Sequence, residues 1–411
     1  MKIVTIIGAR PQFIKAAPVS RAIAEHNRLT EVIIHTGQHF DSDMSDIFFK
    51  ELNIPKPDYN LGINSASHGA MTGRMLEKIE EILIKENPNY VLVYEDTNST
   101  LAGALAAVKL HIPIAHVEAG LRSFNREMPE EINRVLTDHC ADILFCPTQN
   151  SVDNLQAEGI TNVSSAHQLK ISSAQELPRT VALVGDTMYD AVLQFSEIAQ
   201  RRSTILEDLG IESREYFLAT VHRPYNTDIP ENLESILSAF FEINEPIIFP
   251  VHPRTRQKLN SLSSHKLAGS PAHQSTSLTA HQLNSLILTP PVGYLDMLVL
   301  EQNAKAILTD SGGMQKEAYW FGVPCVTLRD ETEWVETVKT GWNVVVGADY
   351  EKIVDAAISF KIPAQRPELY VDGRTGERIV RILSCKKLGI GNVAIVNCVA
   401  KKINPLCNRS R

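Results

Sequence analysis

The sequence lacks an excess of basic charge, paired cysteines and long apolar runs, and each absence excludes a class of protein. The formal net charge over 411 residues is -8, whereas a nucleic-acid partner requires a dominant basic face. The six cysteines form no CxxC pair and no His/Cys cluster at zinc spacing, so we expect no metal site. We expect buried free thiols at Cys140, Cys146 and Cys325, which lie in apolar segments. No stretch reaches the ~18 apolar residues of a membrane helix, and the first apolar run is too short for a signal peptide. We therefore expect a cytoplasmic protein without a nucleic-acid or membrane partner.

Short runs rich in Val and Ile alternate with amphipathic stretches along most of the chain, a pattern typical of parallel strands covered on both faces. Two such series predict an α/β fold with two Rossmann-like parallel-sheet domains that face a central cleft. We place the domains at 1–184 and 185–365, with a helix at 366–383 packing back on the first domain. A basic extension, 384–411, has no assigned role. Two Ser/His-rich segments, Ser164–Pro178 and Ser261–Asn284, are expected to be surface loops.

The first strand ends in "GARPQFIK", which lacks the G-x-G-x-x-G fingerprint of dinucleotide-binding folds. Nicotinamide cofactors are therefore disfavoured. Arg10 and Lys15 follow Gly8 closely, and Pro11 is placed to open a helix. Because anions bind at the carboxyl ends of parallel strands, beside helix N-termini, these two cations favour a phosphorylated ligand.

Acidic residues follow three of the predicted strands or open the next helix. Asp96 follows "VLVYE", Glu118 follows "IPIAHV", and Glu130 stands next to Glu131 after Pro129. Each alone is explained as a helix cap. Together, at neighbouring strand ends, they predict a group of acids with perturbed pKa values that exchange protons with a ligand. Arg122 is placed to hold one of these carboxylates ionised.

The second series supplies cations and a glycine turn. His222 and Arg223 follow one strand, and "VHPRTR" brings His252 after the next. In "LTDSGGMQKEAYWFGVPCVTL", the stretch Ser311-Gly312-Gly313 leaves a strand-to-helix turn without bulk, so backbone N–H groups are accessible to a diphosphate. Glu317 lies one turn further along and is suited to accept hydrogen bonds from both ribose hydroxyls. Arg329 ends the following strand, within reach of the same ligand.

Taken together and in order, these motifs resemble those of one known family. The ordered strings "GARPQFIKAAPV", "HTGQHFD", "DTNSTLAGALAA", "HVEAGLRS", "MPEEINR", "HRPYNTD", "HPRTR", "VGYLDML" and "SGGMQKEAYWFGVPCVTLRDETEW" resemble the non-hydrolysing UDP-N-acetylglucosamine 2-epimerases. The resemblance runs from Lys2 to about Leu383 and omits the two Ser/His-rich segments and the basic extension.

The resemblance implies a GT-B-like fold, with UDP bound by the second domain, and a homodimer. It implies interconversion of UDP-GlcNAc and UDP-ManNAc, which would supply cell-surface polysaccharide precursors. UDP is eliminated and re-added through 2-acetamidoglucal, without metal or cofactor. The implied catalytic residues are Asp96, Glu118, Glu130 and His222. The implied substrate-binding residues are Arg10, Lys15, Arg122, His252, Ser311, Gly312, Gly313, Glu317 and Arg329. A second UDP-GlcNAc, acting as activator, would contact Gln38, His39, Arg74 and Arg223.

One residue departs from the family pattern, which has Gly-Asp-Thr where this chain has Glu95-Asp96-Thr97. A glutamate adds bulk and charge beside Asp96, so we expect lower activity than with glycine. Three other functions remain open: 2-epimerisation of UDP-2,3-diacetamido-2,3-dideoxy-glucuronate, sugar transfer by a GT-B glycosyltransferase, and UDP binding without turnover.

Overall fold

The structure is a computed structural model that describes residues 1–38, 55–64, 67–162, 179–251, 255–259, 285–370 and 372–386. The two Ser/His-rich segments, most of the basic extension, and the predicted site residues His39 and His252 lie outside these ranges. Within the described ranges, no helix is long and apolar enough to cross a membrane. The chain divides into two compact units, one formed by Met1–Leu193 with the segment that begins at Leu369, the other by Gln194–Glu368.

The first unit is built on a parallel sheet with helices between its strands. The strands are β1 (Lys2–Ile7), β2 (Thr30–His35), β3 (Tyr59–Asn60), β4 (Tyr90–Tyr94), β5 (Ile114–Val117), β6 (Ile143–Cys146) and β7 (Thr180–Leu183). The helices are α1 (Arg10–Ala24), α2 (His68–Glu86), α3 (Asn98–Lys109), α4 (Pro129–Cys140) and α5 (Gln149–Ala157). Helix α6 (Thr187–Arg202) contains the division between the units.

The strand order of this sheet is β3-β2-β1-β4-β5-β6-β7. The chain order therefore reverses direction between β1 and β4, and ligands of open α/β sheets bind at the carboxyl ends of the strands at such a switch point. Strands β4 and β5 pair in parallel with Tyr94 opposite Val117. This register places the residues that follow β4 beside those that follow β5.

Local sequence explains where the helices at this edge begin. The side chain of Thr97 accepts a hydrogen bond from the Thr100 N–H and so caps α3. Pro11 lies in the first turn of α1, where its missing N–H costs nothing. Strands β4 and β5 are buried almost throughout, as expected for strands covered on both faces.

The second unit repeats the arrangement with six parallel strands in the order β10-β9-β8-β11-β12-β13. These are β8 (Phe217–Thr220), β9 (Ile247–Pro250), β10 (Leu286–Thr289), β11 (Ala306–Thr309), β12 (Cys325–Thr327) and β13 (Asn343–Val345). Its helices are α7 (Ile205–Leu209), α8 (Pro224–Thr227), α9 (Pro230–Ile243), α10 (Tyr294–Asn303), α11 (Gly312–Phe321), α12 (Val335–Lys339) and α13 (Tyr350–Ser359). The switch point of this sheet lies between β8 and β11.

Helix α14 (Thr375–Lys386) returns to the first unit, where it packs against α1. A glycine makes this contact close, since a Cβ on Gly376 would lie 2.7 Å from the Pro18 carbonyl oxygen. The Gly376 N–H donates to the buried Asp190 carboxylate over 2.8 Å. The first unit is therefore assembled from two separate stretches of the chain.

Candidate active site

The turn between β1 and α1 is fastened to the end of β4 by one buried side chain. The backbone N–H groups of Gly8 and Ala9 donate to Gln12 Oε1 over 2.7 and 3.0 Å. Gln12 Nε2 donates to the Tyr94 carbonyl over 2.8 Å. A Cβ on Gly8 would lie only 2.0 Å from Thr36 Oγ1, so this position excludes any side chain. The turn that carries Arg10 therefore lies against the switch point of the first sheet.

Lys15 lies between two acids at that switch point. Its ammonium contacts Glu95 Oε1 and lies 2.7 Å from Glu118 Oε2, and all three side chains are more than nine-tenths buried. Glu95 and Glu118 each have a positive φ, 59° and 70°, a region that few residues other than glycine adopt. The predicted diphosphate ligand Lys15 thus has two carboxylate partners.

Burial and its neighbours determine the protonation of Glu95. Burial raises the pKa of the Glu95 carboxyl, Lys15 lowers it, and the nearby Glu118 and Asp96 raise it again, so that it reaches about 7. Burial disfavours the charge of Lys15, yet Glu118 and Glu95 raise its pKa above the ordinary value. With both carboxylates charged, this buried group carries one net negative charge.

Asp96 is held by an arginine of α4. Arg134 Nε donates to Asp96 Oδ2 over 3.1 Å, and Nη2 contacts the same oxygen. Arg134 Nη1 lies 2.9 Å from Glu131, which also accepts hydrogen bonds from the backbone of Ser123 and Phe124 over 2.9 Å each. Arg134 therefore bridges the side chains of Asp96 and Glu131.

Arg134 was not among the predicted site residues. The sequence does contain a signal for the Glu131–Arg134 ion pair. The two residues are three positions apart and therefore share one face of a helix. Glu130, the predicted acid, lies in the first turn of α4 and is partly exposed. Glu131, which the sequence analysis treated as its neighbour, is buried and holds the loop after β5.

Arg122 is buried among partners that the sequence analysis did not foresee. Its Nη1 donates to Asp138 Oδ2 over 2.7 Å, while Nε and Nη2 donate to the two Glu158 oxygens over 2.6 and 2.7 Å. The carboxylates that Arg122 holds are therefore Asp138 and Glu158, not the predicted acids at the strand ends. Its role as a substrate ligand stays a prediction.

The described residues assigned to an activator site are spread over both units. Gln38 Oε1 accepts hydrogen bonds from the backbone N–H and the hydroxyl of Ser99, over 3.0 and 2.7 Å. Arg74 is exposed on α2. Arg223, in the second unit, donates from Nε to the Asp310 carbonyl over 3.1 Å. These contacts leave the predicted activator site a prediction.

Asp310 organises the switch point of the second sheet. Its buried carboxylate accepts hydrogen bonds from the backbone N–H groups of His222 and Arg223 over 2.9 Å each, and from Asn226 over 3.1 Å. His222 Nδ1 lies 2.9 Å from the same carboxylate. Burial raises the pKa of Asp310, but His222 and these donors lower it by a larger amount. The pKa therefore falls from its ordinary value to about 2. The ionised Asp310 orients the half-exposed His222 ring through its Nδ1.

The glycine turn follows Asp310 directly. Helix α11 begins at Gly312, its N-cap Ser311 makes no side-chain capping bond, and its first turn contains no acid. The first turn of α11 therefore supplies no acid of its own to neutralise the positive end of the helix dipole. A Cβ on Gly312 would lie 3.3 Å from Trp334 Nε1. Glycine at this position therefore leaves the space beside Trp334 unfilled. Gly313 continues the turn within α11. The arrangement is suited to bind a phosphate group.

Two more predicted ligands lie beside this turn in sequence. Glu317 is buried on α11, with the Tyr294 hydroxyl 3.4 Å from its Oε1. Arg329 is buried after β12, and its Nη1 and Nη2 donate to the two Glu333 oxygens over 2.9 and 3.1 Å. A carboxylate therefore faces the Arg329 guanidinium.

Among the described residues, no three His, Cys, Asp or Glu side chains form a cluster that would hold a metal ion. The charged groups described above are acids, arginines, Lys15 and His222, whose carboxylate partner is Asp310. The chemistry that such groups provide is proton transfer and the binding of anions.

Comparison with known proteins identifies the family of this chain. The family model described as UDP-N-acetylglucosamine 2-epimerase matches residues 21–384. The chain belongs to this family. It is an epimerase, an isomerase, as the sequence resemblance implied.

Individual relatives agree along nearly their whole length. A protein of Methanococcus maripaludis named UDP-N-acetylglucosamine 2-epimerase homolog is 54% identical over 93% of this chain and 99% of its own. The UDP-2,3-diacetamido-2,3-dideoxy-D-glucuronate 2-epimerase of Pseudomonas aeruginosa is 50% identical over 93% and 99%. The crystal structure of Methanocaldococcus jannaschii UDP-GlcNAc 2-epimerase in complex with UDP-GlcNAc and UDP has a TM-score of 0.80, with 44% identity over 93% and 99%.

These matches confirm the predicted fold class of this epimerase, two parallel-sheet α/β domains of the GT-B-like kind. The roles assigned to individual residues stay predictions, as do the homodimer, the cytoplasmic location and the second nucleotide sugar.

Proposed function

We propose that this epimerase interconverts UDP-GlcNAc and UDP-ManNAc. The observation that carries the proposal is the pair of acids at the ends of β4 and β5, Asp96 and Glu118, each with a cation beside it. One carboxylate is needed to remove a proton from carbon, and a second acid is needed to return it on the opposite face of the sugar. A glycosyltransferase requires no such pair.

The proposed reaction is an elimination followed by an addition. One carboxylate removes the C2 proton, the C1–O bond breaks, and UDP leaves with the electron pair, which produces 2-acetamidoglucal. Protonation at C2 from the other face and re-addition of UDP at C1 give the epimer. No net oxidation occurs, so the reaction consumes no redox cofactor.

The second unit supports the departure of UDP. The leaving diphosphate gains charge, and fixed donors aimed at that charge lower the barrier. We assign this role to the N-terminal turn of α11 and to His222, which Asp310 orients. Arg10 lies at the start of α1 in the first unit, and its role as a diphosphate ligand stays a prediction. We further propose that the product supplies precursors of cell-surface polysaccharide.

A second substrate is favoured by one comparison. The P. aeruginosa protein named for UDP-2,3-diacetamido-2,3-dideoxy-D-glucuronate is 50% identical to this chain, and the M. jannaschii protein named for UDP-N-acetylglucosamine is 44% identical. In both substrates, C2 carries an acetamido group and the proton that the elimination removes, and C1 carries UDP. The diacetamido-uronate is therefore the second candidate.

Proton NMR in deuterated water tests the proposal with either substrate. With UDP-GlcNAc, we expect deuterium to enter C2 and a UDP-ManNAc signal to appear. Turnover of the diacetamido-uronate alone would replace the first substrate by the second. Release of free ManNAc would indicate a hydrolysing enzyme. Transfer to an acceptor without C2 exchange would indicate a glycosyltransferase, and no reaction beside intact UDP binding would indicate a binding protein.

Replacement of Glu317 by glutamine is expected to weaken UDP binding by about 10- to 100-fold, because a hydrogen bond to a charged group contributes about 1.5–3 kcal/mol. If Glu317 binds the ribose hydroxyls, the loss must depend on them. The measurement is calorimetric titration with UDP and with 2′-deoxy-UDP. We expect the wild type to distinguish the two nucleotides more strongly than Glu317→Gln does.

The matched control for this prediction is Glu351→Gln, which removes an exposed carboxylate from helix α13 of the same unit. It should bind both nucleotides as the wild type does. Equal loss of UDP and 2′-deoxy-UDP affinity in Glu317→Gln would argue that the variant has lost structure and not a ribose contact.

A further inference from the structure

Phe124 lies in the loop between β5 and α4 and has an unusual backbone conformation. Its φ is 60°, a left-handed value that is uncommon outside glycine and a clear outlier for a bulky residue. Its side chain is 76% exposed, the highest value among the large apolar side chains of the described ranges. The chain therefore holds an aromatic ring in solvent on a strained backbone, and the proposed reaction does not use this ring.

The loop that carries Phe124 is bound to the proposed catalytic acids. The buried Glu131 carboxylate accepts hydrogen bonds from the backbone N–H groups of Ser123 and Phe124 over 2.9 Å each, and from the Ser123 hydroxyl over 3.0 Å. Arg134 lies 2.9 Å from the same carboxylate and also binds Asp96. Phe124 is thus connected to Asp96 through two side chains, Glu131 and Arg134.

The strain at Phe124 belongs to a group of strained residues at this edge of the sheet. Glu95 and Glu118, which follow the neighbouring strands β4 and β5, have φ values of 59° and 70°. Such backbone conformations persist only where the surroundings over-determine them, as Glu131 does for Phe124, and they cluster at active sites and at loops that hold ligands. The backbone of Phe124 therefore indicates a ligand contact.

The chemistry of the ring indicates which part of the substrate it contacts. The side chains that link the loop to Asp96 are charged, whereas a phenyl ring offers an apolar face. In the proposed reaction Asp96 acts at C2, and C2 carries the acetamido group, whose methyl is an apolar part of the sugar. An aromatic ring in the loop that is connected to Asp96 is suited to cover this methyl and to exclude water from it.

We infer that Phe124 is a specificity residue that packs against the C2 acetamido group of the sugar. The inference rests on the proposed function, since it takes Asp96 to act at C2. Phe124 takes no part in proton transfer. It selects sugars with an acetamido group at C2 over sugars with a hydroxyl there, and both candidate substrates meet this requirement.

Calorimetric titration with UDP, UDP-glucose and UDP-GlcNAc tests this selection. We expect the wild type to bind UDP-GlcNAc more tightly than UDP-glucose. Phe124→Ala should reduce that preference by about tenfold, the scale of one methyl group in an apolar contact. The Kd for UDP, which lacks the hexose, should stay within about twofold. Phe124→Tyr keeps the ring and should keep the preference.

A glycine variant separates the strained backbone from the contact. Phe124→Gly and Phe124→Ala both lack the ring, but only glycine adopts the left-handed backbone without strain. Phe124→Gly should therefore unfold at a higher urea concentration than Phe124→Ala, and both should lose the preference for UDP-GlcNAc.

Two controls lie in the same unit. His111 has φ of 57° in an exposed turn, so His111→Gly should unfold at a higher urea concentration than His111→Ala, with every Kd unchanged. Ile84 is 64% exposed on α2, and Ile84→Ala should leave every Kd unchanged because the contact is specific to Phe124.

The outcomes for the inference and for the proposed function are distinct. A wild type without the preference for UDP-GlcNAc, or a folded Phe124→Ala protein that retains it, would overturn the inference. Equal loss of affinity for UDP and for UDP-GlcNAc in Phe124→Ala would overturn it too, because the hexose would then not be the group contacted. A wild type that shows the preference but no C2 deuterium exchange would instead refute the proposed reaction.

Discussion

Replacement of Asp96 by asparagine is expected to lower turnover by about 100- to 10,000-fold, the usual contribution of a positioned acid–base group. Asparagine keeps the shape of the side chain but cannot accept the C2 proton. Arg134, which now binds Asp96, keeps Glu131 as a partner at 2.9 Å, so no buried cation is left alone. The variant should therefore fold.

Three measurements distinguish loss of the base from general damage. The rate of C2 deuterium exchange should fall together with turnover, while the Kd for UDP stays near the wild-type value. The control Asp153→Asn removes an exposed carboxylate from α5 and should change neither quantity. Wild-type exchange in Asp96→Asn would show that another acid, Glu118 first among them, removes the proton.

Replacement of Glu95 by glycine is expected to raise turnover about fivefold or more, the rate equivalent of about 1 kcal/mol. Two features of Glu95 explain why turnover should rise. The backbone of Glu95 is left-handed, with φ at 59°, which costs an L-residue roughly 1–2 kcal/mol and glycine almost nothing. The Glu95 carboxylate also occupies Lys15, the cation that the family resemblance assigns to the diphosphate. Glycine frees Lys15 from one of its two acids.

The same change should alter the pH dependence of stability. Because the pKa of Glu95 is raised to about 7 in the folded protein, against ~4.3 in an unfolded chain, the folded state binds the proton more tightly. This stabilises folding fully below about pH 4, and the contribution is lost as the pH rises through about 7. The free energy of unfolding of the wild type should therefore fall between pH 5 and pH 8, and that of Glu95→Gly should fall less.

Glu95→Gln serves as the matched control because it removes the charge and keeps both the bulk and the left-handed backbone. Urea unfolding at pH 5.5 and pH 8 should show a weaker pH dependence in both variants. The gain of about 1 kcal/mol from backbone relaxation should appear in the glycine variant alone. Equal or lower turnover in Glu95→Gly than in the wild type would refute the expectation that the acid reduces activity.

The parts of the site that depend on chain order were predictable from sequence. Apolar runs reveal the strands, and parallel strands place the residues after them at one edge of the sheet. Asp96, Glu118, His222 and Gly312 therefore follow their strands as expected. Two α/β series likewise predicted two parallel sheets, which the structure has.

The same patterns did not predict which charged side chains pair with each other. Arg122 stands four residues after Glu118 in the chain, yet it binds Asp138 and Glu158, which approach it only when α4 and α5 pack on the sheet. Lys15 was expected to face a phosphate, and its contacts with Glu95 and Glu118 depend on how α1 crosses the ends of β4 and β5. Pairings of this kind are set by packing between elements distant in sequence, which local periodicity does not encode.

The contact of α14 with α1 has a consequence for synthesis on the ribosome. Domains generally fold as units while the chain emerges, but the first unit here includes the segment that starts at Leu369. Its opening 193 residues leave the exit tunnel without the helix that packs against Pro18, whereas residues 194–368 emerge as one uninterrupted piece. The half that is translated second is thus able to reach its native state first, and premature termination before Thr375 would leave an exposed face on α1 for chaperones to bind.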